Sequence, residues 1–505
     1  MLTLQGSRRE LCDRITRRDL LSIGGLSAFG FGQADLLATQ GSDRGHASSA
    51  LSSFGRAKAC ILIFLYGSPP QHETFDPKPE APAEIQGEMK ACSTKVPDLM
   101  ICERLPRTAD IVDRTTVVRS LTHPYPLHGV AYAVSGLPTY TPDLETRPRD
   151  VRHWPFIGSI VDYVDSQGRA DPGRTAPIRS QGGVPNQMAL PWMLNSKTDL
   201  LVNAGPFAGF LGANHDPVWT DFVGQGIRKV PKYTDGQPQE FLDPFGGIAN
   251  DGEFRMAQDS VLPSDISIER LGLRRSLLEQ LNAQVRRLDR GGFDAPREQA
   301  FSLLTSRKLS ESLDIHREPR SLREDYGMTL FGQSCLAARR LVESGVRFVT
   351  VFWDGFGQFA NCAWDTHNNH FPRLKEYLLP GFDAAYPALI RDLDQRGMLD
   401  ETLVLCISEH GRTPQIDSKP KGAGRHHWSR AYSAIFAGGG IARGRVVGRT
   451  DRLAGDVVDL PISPKDILAT SFHLLGIDPH LIVRDQQNRP ISIAGDGRVR
   501  EELIG

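Results

Sequence analysis

Ala59-Cys60-Ile61-Leu62-Ile63-Phe64-Leu65-Tyr66 is an unbroken apolar run, stopped by Gly67-Ser68-Pro69-Pro70. A strand with one wet face alternates apolar and polar residues. A continuous run therefore fits a strand covered on both faces, as in a parallel sheet. The pattern returns later in the chain. Leu330 to Val342 has helical periodicity, Gly345 supplies a stop, and Val346 to Phe352 reads as a strand. Phe382, Tyr386, Leu389, Ile390 and Leu393 then fall at helical spacing, Gly397 ends that helix, and Leu403 to Ile407 follows as a strand. Ala434 to Ala437 makes another short strand, and Thr116–Arg119 and Leu200–Asn203 read as two more. A final helix opens with Ser463 as N-cap and Pro464 in its first turn, and runs to Gly476. Helices alternating with buried strands predict an α/β fold, with a central, largely parallel sheet flanked by helices.

Residues 140–325 are less regular, rich in Pro, Gly and Arg, with helices expected at Ile268–Leu288 and Arg297–Leu313. This stretch reads as a partly helical insertion or cap over the sheet. Arg270, Arg274, Arg275, Arg286 and Arg287 share a face there that either grips a polyanion or is simply solvated. The net charge of −1 gives no global field toward nucleic acid or an anionic membrane, although small anionic substrates need only local positive charge. Seven cysteines, an odd number without CxxC spacing, argue against a dense disulfide framework and a structural zinc ribbon. Cys60 and Cys406 read as buried small hydrophobes, and a Cys92–Cys102 bridge is conceivable in an exported protein.

The first 52 residues stand apart from the 55–500 domain. Arg17-Arg18 precede a weakly apolar run, Leu21 to Phe31, and a small-residue stretch at Ala47–Ala50. A membrane span needs about 20 apolar residues, so this run is too short for one. It resembles a twin-arginine export signal, which implies the twin-arginine translocation machinery as a partner and a periplasmic or extracellular location.

Three motifs carry the chemistry: Trp364-Asp365-Thr366-His367, Ser408-Glu409-His410-Gly411-Arg412 and Gly424-Arg425-His426-His427-Trp428. Each lies after an expected strand or in a loop just beyond one, where α/β sheets bind ligands. Asp365 and His367 are two apart, so extended backbone points both to one side. Glu409 and His410 sit where a strand opens into a Gly turn. His426 and His427 normally face opposite ways, so one is expected to be a ligand and the other to orient an anion or a neighbouring group. Mixed imidazole and carboxylate donors suit Zn, or Mn or Fe, better than a purely oxygen-lined Mg site. Two such divalent ions, about 3.5–4 Å apart, can clamp the attacking and leaving oxygens of a displacement at phosphorus or sulfur, and Arg412 can bind the equatorial oxygens.

At these residues the chain resembles a family of exported bacterial proteins, the domain of unknown function 1501, related to the alkaline phosphatase and sulfatase superfamily. Thr74-Phe75-Asp76-Pro77-Lys78-Pro79, Tyr326-Gly327, Trp364-Asp365-Thr366-His367, Gly411-Arg412-Thr413-Pro414 and His427-Trp428 carry the likeness. It implies an alkaline-phosphatase-like fold and a metal-dependent hydrolase of phosphate or sulfate esters. The substrate would be a small anionic ester or a sulfated or phosphorylated glycan, and the cofactor one or two divalent ions (Zn, Mn, Fe or Ca). In that pattern Glu409 and His410 resemble the ligands of one metal, and Asp365, His367 and His427 those of the other. The acid expected after the first strand is Glu73, with His72 and Asp76 as alternatives. The stretch expected to hold the nucleophile is Pro124-Tyr125-Pro126-Leu127-His128-Gly129, which has no hydroxyl or thiol at the matching position. Thr122, a metal-bound hydroxide, or no nucleophile at all remain open, with His123 and His128 as acid–base groups or ligands. The alternative reading is a non-catalytic, metal-containing binding or scaffold protein on the same fold.

Overall fold

The first strand, β1 (Ala59–Leu65), is buried along its whole length. Its side chains split between the two sides of the sheet. Ile61, Ile63 and Leu65 enter one apolar core, and Cys60, Leu62 and Phe64 the other. That double burial is why the run shows no polar alternation. The structure, a computed structural model, describes residues 53–125, 129–136, 144, 147–168, 184–198, 205–234, 237–257, 306–357, 363–418 and 422–505. Ser53–Gly505 form one unit.

Eight further strands complete the main sheet: β2 (Thr115–Leu121), β3 (Gln187–Leu190), β4 (Val218–Val223), β5 (Glu253–Met256), β6 (Phe348–Trp353), β7 (Thr402–Ile407), β8 (Tyr432–Ala437) and β9 (Arg445–Val447). Their spatial order is β9-β2-β8-β7-β1-β6-β3-β4-β5. β1 pairs in parallel with β6 and β7, with Cys60 opposite Phe348 and Leu403. β3 pairs in parallel with β6, and β4 with β3. Only β5 and β8 run against the others.

Helices cover both faces. α1 (Val130–Ser135), α2 (Ile157–Ser166) and α5 (Pro464–Leu474) pack on the Leu62 side. α3 (Leu330–Glu343) and α4 (Leu379–Gln395) pack on the Ile63 side. α5 begins as its sequence requires: Ser463 Oγ accepts from Asp466 N–H and the Asp466 carboxylate accepts from Ser463 N–H, with Pro464 at the first position.

The expected α/β fold with a largely parallel, helix-flanked sheet is the one observed. Residues 140–325 differ from a cap alone, since β3, β4 and β5 extend the central sheet from within that stretch. These strands are only 4–6 residues long, so no extended apolar run marks them in the sequence. The leader at 1–52, the expected strand at 200–203 and the arginine-bearing helix at 268–288 lie outside the described residues. Of the helix expected at 297–313, the described part is Arg307–Leu313. Cys92 and Cys102 are free thiols, with Cys92 Sγ donating to Cys102 O at 3.6 Å.

Candidate metal centre

Because β1, β6 and β7 run in the same direction, the loops after them emerge at one edge of the sheet. Tyr66–Glu73 follow β1, Asp354 and then Asp365–His367 follow β6, and Ser408–His410 follow β7. The loops are stitched together near the strand ends. Trp364 N–H donates to Tyr66 O at 3.1 Å, Gly67 N–H to Glu409 Oε1 at 2.8 Å, and His410 N–H to Ser68 Oγ at 3.2 Å. Gly67 and Ser68 both turn with positive φ, 93° and 67°. For Ser68 that conformation is costly, and the surrounding bonds hold it.

Three side chains converge beyond this edge. Asp365 Oδ1 lies 3.0 Å from His367 Nε2 and 3.5 Å from His427 Nε2, and the two Nε2 atoms are 2.9 Å apart. All three residues are partly exposed. A proton placed between the imidazoles satisfies one of these gaps, whereas a cation satisfies all three. Zinc bound tetrahedrally at about 2.0–2.1 Å would need donors roughly 3.3 Å apart, close to the observed spacing. The donor set therefore fits a divalent ion, and Asp365, His367 and His427 form a possible metal site.

The scaffold around them is heavily hydrogen bonded. The buried Arg373 donates to Asp365 O at 2.8 Å and Ala363 O at 2.6 Å, fixing the loop that carries Asp365. His427 lies in a two-residue ladder with Gly411-Arg412, so Arg412 sits opposite His427. His426 points the other way, with Nδ1 2.8 Å from His367 Nδ1 and Nε2 2.8 Å from Asp417 Oδ2.

The expected site residues thus separate. Asp365, His367 and His427 come together. His410 is adjacent, its ring centroid 4.6 Å from that of His427, and its Nδ1 faces Gly411 O at 2.8 Å. The described metal-competent group does not include His410 or Glu409. Glu73 lies elsewhere, fully buried against Arg425 (Nη2 to Oε1, 2.5 Å) and His370 (Nε2 to Oε2, 3.3 Å). Burial alone would raise its carboxyl, but the Arg425 guanidinium and His370 outweigh burial and hold it well below the usual carboxylate range.

Arg412 also differs from the expected anion clamp. It is fully buried, with Nε donating to Ser68 O at 3.1 Å and Nη1 to Arg425 O at 3.3 Å. Its Nη2 donates to Gly67 O and lies 2.5 Å from Asp365 Oδ1. These contacts lock the first-strand turn and the Asp365 carboxylate together and direct the guanidinium inward. Thr122 is half-buried just past β2, where its amide donates to Ile462 O at 3.0 Å. His123 Nε2 faces Glu409 O at 2.7 Å, and burial pushes this imidazole down to about 4. His128 lies outside the described residues.

Four residues to which the sequence assigned no role are hydrogen bonded in or beside these loops: Arg373, Arg425, Asp417 and Asp354. Asp354, at the end of β6, accepts from Asn195 N, Trp192 Nε1, Asn195 Nδ2 and Gly355 N at 2.7–3.1 Å. Burial pushes its carboxyl up to about 7 despite these donors, the backbone amide of Asn195 foremost among them. The Trp-Asp-Gly sequence following an apolar strand was the available clue.

Solved structures offer slight likenesses. The PsFucS1 sulfatase from Pseudoalteromonas sp. is 11% identical over 86% of this chain and 72% of its own, with a TM-score of 0.37. The lipoteichoic acid synthase LtaP from Listeria monocytogenes is 10% identical over 88% and 77%, with a TM-score of 0.30. No curated protein matches the sequence. The family model described as "Protein of unknown function (DUF1501)" matches residues 57–504. The chain belongs to the DUF1501 family.

Proposed function

We propose that the protein is an exported, metal-dependent hydrolase of phosphate or sulfate esters, centred on Asp365, His367 and His427. The convergence of Asp365 Oδ1, His367 Nε2 and His427 Nε2 within 2.9–3.5 Å carries this reading. Structural zinc sites usually close with four protein ligands, whereas three donors leave a position open for substrate. A divalent ion in such a site polarises a phosphoryl or sulfuryl oxygen and supplies a nucleophile at neutral pH, a role suited to a chain lacking a hydroxyl at the expected position.

The chain's own residues contribute orientation. Arg373 fixes the Asp365 backbone, and Arg412 holds its carboxylate. The partial exposure of the three donors leaves a route for a small anionic ester or the charged end of a glycan. Export by the twin-arginine route, to the periplasm or beyond, rests on Arg17-Arg18 and the following apolar run. Replacing both arginines by lysine should retain the protein in the cytoplasm.

Aryl phosphate, phosphodiester and aryl sulfate panels test catalysis, with wild type compared to His427→Ala. Metal-dependent turnover lost in the variant is expected. A second reading, a non-catalytic metal-holding binding protein, is favoured by the inward-facing Arg412. Stoichiometric metal with the same background rates in both proteins would select it.

A further inference from the structure

His367 Nδ1, the nitrogen facing away from the three-donor cluster, lies 2.8 Å from His426 Nδ1, and His426 Nε2 lies 2.8 Å from Asp417 Oδ2. Donor and acceptor chemistry sets the direction of this chain. An ionised carboxylate only accepts, so His426 Nε2 carries a proton. With that as its only ring proton, His426 presents a lone pair at Nδ1, which accepts from His367 Nδ1–H. His367 is left with its lone pair at Nε2, the atom beside Asp365 Oδ1 and His427 Nε2.

We infer that Asp417 and His426 are positioning residues of the metal centre, forming an Asp417–His426–His367 relay that fixes the tautomer and ring orientation of His367. The inference rests on the metal reading proposed above. A carboxylate commonly bonds the ligand histidine directly; here a second imidazole is interposed. The loop is built to hold it. Thr413 N–H donates to His426 O at 2.8 Å, and His426 N–H donates to Thr413 Oγ1 at 3.0 Å. Asp417 and Gly424 exchange backbone bonds of 2.8 and 3.0 Å.

Stability is a poor explanation for the relay. The side chains of His426 and Asp417 are 42% and 32% exposed, where even a fully charged pair contributes only on the order of 0–1 kcal/mol. The inner bond, in contrast, ends on His367, whose Nε2 must keep one orientation toward Asp365 Oδ1 and His427 Nε2.

The test is zinc titration by chelator competition on the full chain stripped of metal, using wild type, Asp365→Ala, His426→Ala, Asp417→Ala and Asp417→Glu. Affinity should fall roughly 10- to 100-fold in His426→Ala and Asp417→Ala. Their metal-free thermal midpoints should stay near wild type, and Asp417→Glu should recover part of the loss. Long-range ¹H–¹⁵N spectra of the zinc-loaded wild type should show His367 protonated at Nδ1. Wild-type affinity in both relay variants would overturn the inference, as would a loss matched by collapse of the metal-free fold. If Asp365→Ala abolishes binding while the relay variants retain it, the relay alone fails. If wild type binds no zinc, the metal reading and the relay fail together.

Discussion

Gly424 is packed directly on the backbone of His367: a Cβ at Gly424 would lie 1.7 Å from the His367 carbonyl oxygen. Real side chains do not tolerate such a contact, and the obstacle is backbone that cannot swing aside. Next to it, Arg425 N–H donates to Thr366 O at 3.3 Å. The loop bearing His427 is thus seated on the loop bearing Asp365 and His367 only because position 424 has no side chain. Gly424→Ala should force the loops apart and cost about 1–3 kcal/mol of stability. Zinc affinity should fall at least tenfold. Chemical denaturation and a chelator competition check both; wild-type affinity would mean that the contact does not set the site.

Glu73 and Arg425 should behave as a structural pair. Removing one member of a buried ion pair leaves the other charge without compensation, which typically costs about 3–5 kcal/mol. Glu73→Gln is therefore expected to lower the urea midpoint strongly while leaving the stoichiometry of bound metal in the folded fraction unchanged. Loss of metal with an unchanged midpoint would return Glu73 to the ligand set.

Arg412→Lys separates two roles. Lysine cannot reproduce the fork that reaches Gly67 O, Ser68 O and Asp365 Oδ1 together. A scaffold role makes the substitution destabilising by about 2–4 kcal/mol, in line with the loss of charged, buried hydrogen bonds. A role in gripping substrate would instead raise KM in a protein of normal stability.

Two buried histidines give the protein an acid limit. Burial pushes His72 down to about 4, with the Arg425 guanidinium adding to it, and burial pushes His123 down to about 4. In the unfolded chain each takes up a proton near pH 6.5. Between about pH 6.5 and 4 the unfolded state therefore binds more protons, so stability falls as pH falls. The slope should approach about 1.4 kcal/mol per pH unit for each histidine. Denaturation curves across that window, in wild type and His72→Gln, check it. The variant should show a shallower dependence, and an unchanged slope would remove His72 from the account.

Much of this architecture was legible because local and tertiary demands coincide. The run from Ala59 is apolar because both faces of β1 are covered, and Ser463-Pro464 caps α5 with its own side chains. The convergence of Asp365, His367 and His427 was also legible, since each motif follows a recognisable strand or its loop. The partners of Glu73 were not. Glu73 and Arg425 are separated by 352 positions, and nothing near either residue announces the other. Arg412 looked like an anion clamp because an arginine beside Glu-His-Gly suits one. The structure turns it inward, where three backbone carbonyls accept its donors. Asp417 had no motif at all; it reaches His426 through a loop closed by its own backbone bonds with Gly424.

Metal content is the most direct test. Protein purified without chelator should carry about one divalent ion per chain, as a three-donor site holding a single ion requires. Asp365→Ala and His427→Ala, still folded, should carry almost none. Wild type without stoichiometric Zn, Mn, Fe or Ca, or variants holding as much as wild type, would contradict the assignment of Asp365, His367 and His427 as a metal centre.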